Sequence, residues 1–245
     1  MELLITFLAG MSMAVGALFV KCVKDPHILS QLSTSLALGA LAALVVFDLG
    51  PEAVEYALNE NLIMALVALF VGFGLLSLLE TLIPNHDHAE DHDAHATEDE
   101  IAVHIGLISV VALMVHNVVE GMTMYALALE SLQQGAIYAF GVALHNIPMG
   151  MLIFTALRSE RRRIKALALA GALLSTVLGG LIMMAMSGSI SPDSMELLGC
   201  AALGMVLYIA LEELVPHTLY MQPRWVSVLG TLAGFALVVV ASMLE

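Results

Sequence analysis

Apolar residues run along this chain in blocks of about 20, the length of helix that crosses a bilayer, and polar residues fall mainly in the gaps between blocks. The blocks predict eight helical spans near 2–20, 29–50, 61–83, 101–126, 134–157, 164–188, 195–219 and 225–244. A membrane β-barrel would instead alternate in segments of about 10 residues. The predicted class is therefore all-α, a polytopic membrane protein with eight transmembrane helices in one domain, 1–245. The first block lacks a basic leader and is followed directly by further spans, so it reads as a retained helix. Composition agrees, because a chain that is 60% hydrophobic could not cover a soluble core with polar groups.

Orientation follows from the basic residues in short loops. With eight helices, all eight fall on one face: Lys21 and Lys24 in the first loop, Arg158, Arg161, Arg162, Arg163 and Lys165 in the fifth, Arg224 in the seventh. Odd-numbered loops are thus expected in the cytoplasm and both termini outside it. The net charge of −14 argues against nucleic acid or anionic lipid as partners and points to cations. Cys22 and Cys200 lack disulfide or zinc-site spacing.

The segment 84–100, between the third and fourth spans, interleaves His86, His88, His92 and His95 with seven carboxylates. Too polar to bury surface, it is expected to be a mobile cytoplasmic loop that binds borderline divalent metals weakly. A solvated acidic linker is the plainer reading.

Chemistry concentrates in the fourth and fifth spans. The fourth carries His116-Asn117-Val118-Val119-Glu120-Gly121, the fifth His145-Asn146-Ile147-Pro148-Met149-Gly150. Ionisable groups are costly to desolvate in a bilayer and mark functional sites by default. Residues four apart share a helix face, so His116 and Glu120 project together, as do His145 and Met149. In antiparallel spans His116 and His145 lie about 22 and 18 Å from the cytoplasmic ends at 1.5 Å per residue, and the clusters can meet near mid-membrane. Pro148 removes a backbone donor and frees the Leu144 carbonyl.

These motifs resemble the ZIP (Zrt/Irt-like) divalent metal transporters. The likeness extends to the eight spans, the His-rich loop, and the small-residue second span, Gly39-Ala40-Leu41 leading to a turn at Pro51-Glu52-Ala53. It implies a ZIP-like helix bundle that moves divalent cations into the cytoplasm by elevator-like alternating access. By the same likeness, His116, Asn117, Glu120, His145 and Asn146 hold the ion. No cofactor is called for beyond the transported metal, and the partners are that metal and the bilayer of a plasma (inner) membrane. A homodimer is kept as an open assembly state.

This chain departs from the family pattern at Met149, where the signature has glutamate, and around Leu174-Ser175-Thr176-Val177, where many members place another. Glu120 is left as the one sure anion of the site. Imidazoles with one carboxylate suit Zn²⁺, with iron or manganese behind it, better than Mg²⁺ or Ca²⁺. Met149 is either a thioether ligand or a space-filling residue. Two further pairs stand four apart: Glu213 and His217 near the cytoplasmic end of the seventh span, as an accessory metal site or an interfacial anchor, and Asp48 and Glu52 near the outer end of the second.

An intramembrane metal hydrolase is the rival from another class. A zinc protease would show His-Glu-x-x-His, whereas Asn117 follows His116 here. A transport-inactive, metal-sensing or structural relative is the second alternative, because Met149 removes a family ligand. No enzymatic activity is expected.

Overall fold

The computed structural model describes residues 1–23, 25–82, 98–157, 161–186 and 191–243. Among them are ten α-helices: α1 (Glu2–Phe19), α2 (Pro26–Leu44), α3 (Gly50–Tyr56), α4 (Leu62–Leu82), α5 (Glu98–Glu130), α6 (Leu132–Ala156), α7 (Arg162–Met186), α8 (Pro192–Tyr208), α9 (Val215–Tyr220) and α10 (Arg224–Ser242). No strand occurs among the described residues. Helix starts follow the polar residues between apolar blocks. Asp25 accepts from the N–H groups of His27 and Ile28 ahead of Pro26, and Ser131 and Ser191 cap α6 and α8 in the same way.

Five helical runs among the described residues are long and apolar enough to cross a membrane: Glu2–Phe19, His27–Thr81, Leu132–Thr155, Arg162–Met186 and Asp193–Tyr220. Large apolar side chains such as Ile63, Phe70 and Leu167 stay on the outside, as lipid-facing helices require. The protein is an all-helical, polytopic membrane protein.

The structure differs from the sequence reading between the second and third predicted spans. No loop interrupts 51–60; helical residues continue from Pro26 to Leu82 through two π-wound stretches, Val45–Leu49 and Ala57–Asn61. Proline explains the first. Pro51 has no N–H to give the turn behind it, and the preceding turn widens so that the Gly50 N–H donates to the Val45 carbonyl, five residues back. A Cβ on Gly50 would lie 2.1 Å from that oxygen, so only glycine fits. The same device recurs before Pro216, where Ile209–Leu214 is π-wound and the Val215 N–H reaches the Ala210 carbonyl. Pro51-Glu52-Ala53 is therefore a rewound stretch of helix and not a turn.

Packing sorts the long helices into two groups. Helices α1, α5, α6 and α7 pack on one another; α2 packs on α10 and α4 on α8, with α3 and α9 beside them. The groups meet where α6 lies on α2 and α10, and where α5 lies on α8. Glycines set the closest approaches, and they do so in reciprocal pairs. Gly16 and Gly150 join α1 to α6, Gly121 and Gly179 join α5 to α7, Gly39 and Gly234 join α2 to α10, and Gly72 and Gly204 join α4 to α8. In each pair, a Cβ on either glycine would come within 1.9–2.1 Å of the carbonyl oxygen three residues before the other. All four pairs lie inside a group. Across the boundary, Ser33 Oγ of α2 and Thr155 Oγ1 of α6 lie 3.0 Å apart.

Candidate metal centre

Helix geometry places His116 and Glu120 one turn apart on α5, with His116 Nε2 2.9 Å from Glu120 Oε1. Helix α6 brings His145 to the same oxygen, its Nε2 2.7 Å away. Donor atoms of the three residues lie within 4.8 Å of one another, and the two imidazoles are tilted by 44° at a centroid separation of 6.2 Å. Relative exposure is 2% for His116, 3% for Glu120 and 5% for His145, so water screens none of them. Among the described residues no other group of three or more His, Cys, Asp or Glu side chains gathers its donor atoms in this way.

The local sequence explains why α5 and α6 can do this. Gly121, next to Glu120, lets the Thr176 backbone of α7 press against α5; Gly150, five residues after His145, does the same for α1 at Met13. Pro148 sits inside α6, in the turn after His145. Both ligand-bearing helices are thus held from behind, and their polar side chains turn toward each other.

The neighbours of the trio divide into distinct roles. Asn117 is wholly buried and donates Nδ2 to the Ala172 carbonyl of α7 at 3.1 Å and to Met13 Sδ of α1 at 3.8 Å. Its Oδ1, both amide atoms of Asn146, Glu120 Oε2 and Thr176 Oγ1 are buried without a hydrogen-bond partner. Unpartnered polar atoms cost several kcal/mol each in a bilayer, so this concentration marks a place built for another occupant. Met149 is 1% exposed and lies in the apolar core with Met13, Ala37 and Leu41.

Two imidazole nitrogens and one carboxylate oxygen converging on a point form a donor set for a borderline divalent cation. Three protein ligands that leave a coordination position open suit an ion that must enter and leave. Half-buried Asp48 of the π-wound stretch lies within electrostatic reach of Glu120, His145 and His116, while its sequence partner Glu52 is exposed. Sequence reasoning placed Asp48 at an outer helix end; a helix-wheel pattern has no way to report proximity to another helix. Met13 and the Ala172 carbonyl gave no signal either, since neither differs in type from ordinary apolar spans.

The accessory candidates are less complete. Glu213 is buried in the π-wound turn and His217 half-buried on α9, with no third metal-ligating residue gathered around them among the described residues. His86, His88, His92 and His95 lie outside the described residues.

Comparison with known proteins follows the same line. The family profile described as ZIP Zinc transporter matches residues 80–242. The chain is 25% identical to the zinc transporter ZupT of Chlorobium chlorochromatii, over 98% of this chain and 96% of the relative. It is 27% identical to that of Stenotrophomonas maltophilia, over 99% and 94%, and 28% identical to that of Escherichia coli O1:K1, over 96% and 93%.

Proposed function

The chain belongs to the ZIP zinc transporter family, and on that premise we propose that it carries Zn²⁺ into the cytoplasm through the centre formed by His116, Glu120 and His145. As a family member it is a metal-ion transporter and not an enzyme, which disposes of the hydrolase reading. The observation that carries the site assignment is the convergence of two imidazoles and one carboxylate on a single buried point between α5 and α6. Zinc is the cargo because this mixed nitrogen and oxygen donor set is softer than the all-oxygen shells that Mg²⁺ and Ca²⁺ prefer.

Asn146 stands beside the trio as a neutral partner, and Met149 fills space and keeps the centre to one carboxylate. The unit is a single transmembrane domain of eight spans with outward termini in a plasma (inner) membrane, a reading supported by the basic residues of 21–24, 158–165 and 224. The same charge count puts the acidic, histidine-rich stretch ahead of α5, 84–97, on the cytoplasmic side; it lies outside the described residues, and 98–100, expected in the loop, belong to α5.

Transport proceeds by displacement of α1, α5, α6 and α7 against the other group. The glycine pairs support this, because the backbone interlocks they make all lie inside a group and resist its deformation. The test is Zn²⁺ uptake into proteoliposomes. His116→Ala and Glu120→Ala should each reduce it to background in protein that stays monodisperse in detergent; wild-type flux in either would overturn the site assignment.

A further inference from the structure

We propose that Met13 of α1 is a positioning residue of the metal centre, setting the register of α5 against α6 through Asn117. The proposal rests on the reading of His116, Glu120 and His145 as the transport site.

Met13 has no exposed surface and touches both ligand-bearing helices by different means. Its backbone carbonyl lies against Gly150 of α6, where a Cβ would come within 2.0 Å of the oxygen. Its sulfur, 3.8 Å from Asn117 Nδ2, receives an amide hydrogen from α5. A single residue of α1 therefore spans the gap between the helix of His145 and the helix of His116.

Asn117 makes that contact directional. Adjacent residues on a helix point about 100° apart, so Asn117 faces α1 and α7 while His116 faces α6. Its second amide bond, to the Ala172 carbonyl, fixes the plane of the group, and Ser175 Oγ donates to the same carbonyl at 2.7 Å. With both N–H bonds anchored on neighbouring helices, α5 cannot rotate about its axis without breaking them. Rotation of α5 is what would carry His116 Nε2 and Glu120 Oε1 away from His145. The residues that ligate and the residue that aims them thus point in different directions from one helix.

Asn117 Oδ1 is buried without a hydrogen-bond partner, so direct ligation of the ion by Asn117 is the rival that the test must separate. The experiment titrates Co²⁺ into the detergent-solubilised full chain and reads its visible absorption. His86, His88, His92 and His95 are changed to Ser so that the loop does not compete. Asn117→Asp keeps an oxygen donor and removes both N–H bonds; it should weaken Co²⁺ binding at least tenfold, with unchanged band positions at saturation. Met13→Leu, which keeps the volume and loses the sulfur acceptor, should weaken binding several-fold in the wild-type background and not at all in an Asn117→Ala background.

Equal or tighter binding by Asn117→Asp, shifted bands, wild-type binding by Met13→Leu, or an undiminished Met13→Leu effect without Asn117 would each overturn the proposal. Should Asn117→Asp not fold, the Met13→Leu comparison in the two backgrounds decides. His116→Ala reports separately on the site: retained Co²⁺ colour in that variant would sink the transport-site reading itself, whatever Met13 does.

Discussion

Gly16 of α1 and Gly150 of α6 each stand against the backbone of the other's helix, Gly16 at the Ile147 carbonyl and Gly150 at the Met13 carbonyl. A Cβ on either would lie 2.0 Å from its oxygen, a distance only backbone movement can relieve. Gly150→Ala should therefore separate α1 from α6, costing about 1–3 kcal/mol as an overpacked contact and lowering uptake with it. Gly74→Ala is the control, since its Cβ would meet nothing within 4 Å and alanine favours helix. Thermal unfolding of both variants in detergent checks the contrast; equal loss in the two would mean that helix approach is not the cause.

The Ser33–Thr155 pair bridges the two helix groups. Ser33 Oγ donates to the Leu29 carbonyl at 2.8 Å, which leaves the Thr155 hydroxyl to donate across the boundary. Thr155→Val removes one buried hydrogen bond of about 1 kcal/mol and should shift the balance between transport conformations about fivefold, seen as a changed uptake rate with Zn²⁺ binding intact. Ser33→Ala added to Thr155→Val should change little more. Fully additive effects would show that the pair does not act as a unit.

Met149 separates this chain from the family pattern. Its burial among Met13, Ala37 and Leu41 leads to the expectation that Met149→Leu keeps zinc uptake within about twofold, as a volume-conserving core exchange does. Met149→Glu should shift selectivity toward harder ions such as Mn²⁺ by adding a second carboxylate. Competition of unlabelled Mn²⁺ against zinc uptake measures the shift. A large loss in Met149→Leu would instead identify the thioether as a donor.

How much of this was legible beforehand depended on whether a feature lies along one helix or between two. His116 with Glu120, and the likeness of the two His-Asn signatures, were open to reading because one-turn spacing and an ionisable group in an apolar block are visible in one dimension. The membrane class was equally open. Met13 was not, since a methionine in an apolar span carries no mark of what its sulfur touches. Small residues announced close packing, but nothing in their spacing paired Gly16 with Gly150 rather than with another glycine. Pro51 was taken for part of a turn because the chain's remedy, a widened helical turn closed at Gly50, depends on a backbone bond that composition does not encode.

The single carboxylate of the centre has an electrical consequence. Metal ligation requires neutral imidazoles, so the loaded trio of His116, His145 and Glu120 with a divalent ion carries a formal charge of +1. Each elementary charge moved through the full membrane potential is worth about 2.3 kcal/mol per 100 mV. A membrane that is negative inside would therefore draw the loaded bundle inward. Zinc uptake into proteoliposomes clamped with a potassium gradient and valinomycin should accelerate as the interior becomes more negative. With Met149→Glu the loaded centre would be neutral, and its inward step would lose its response to voltage.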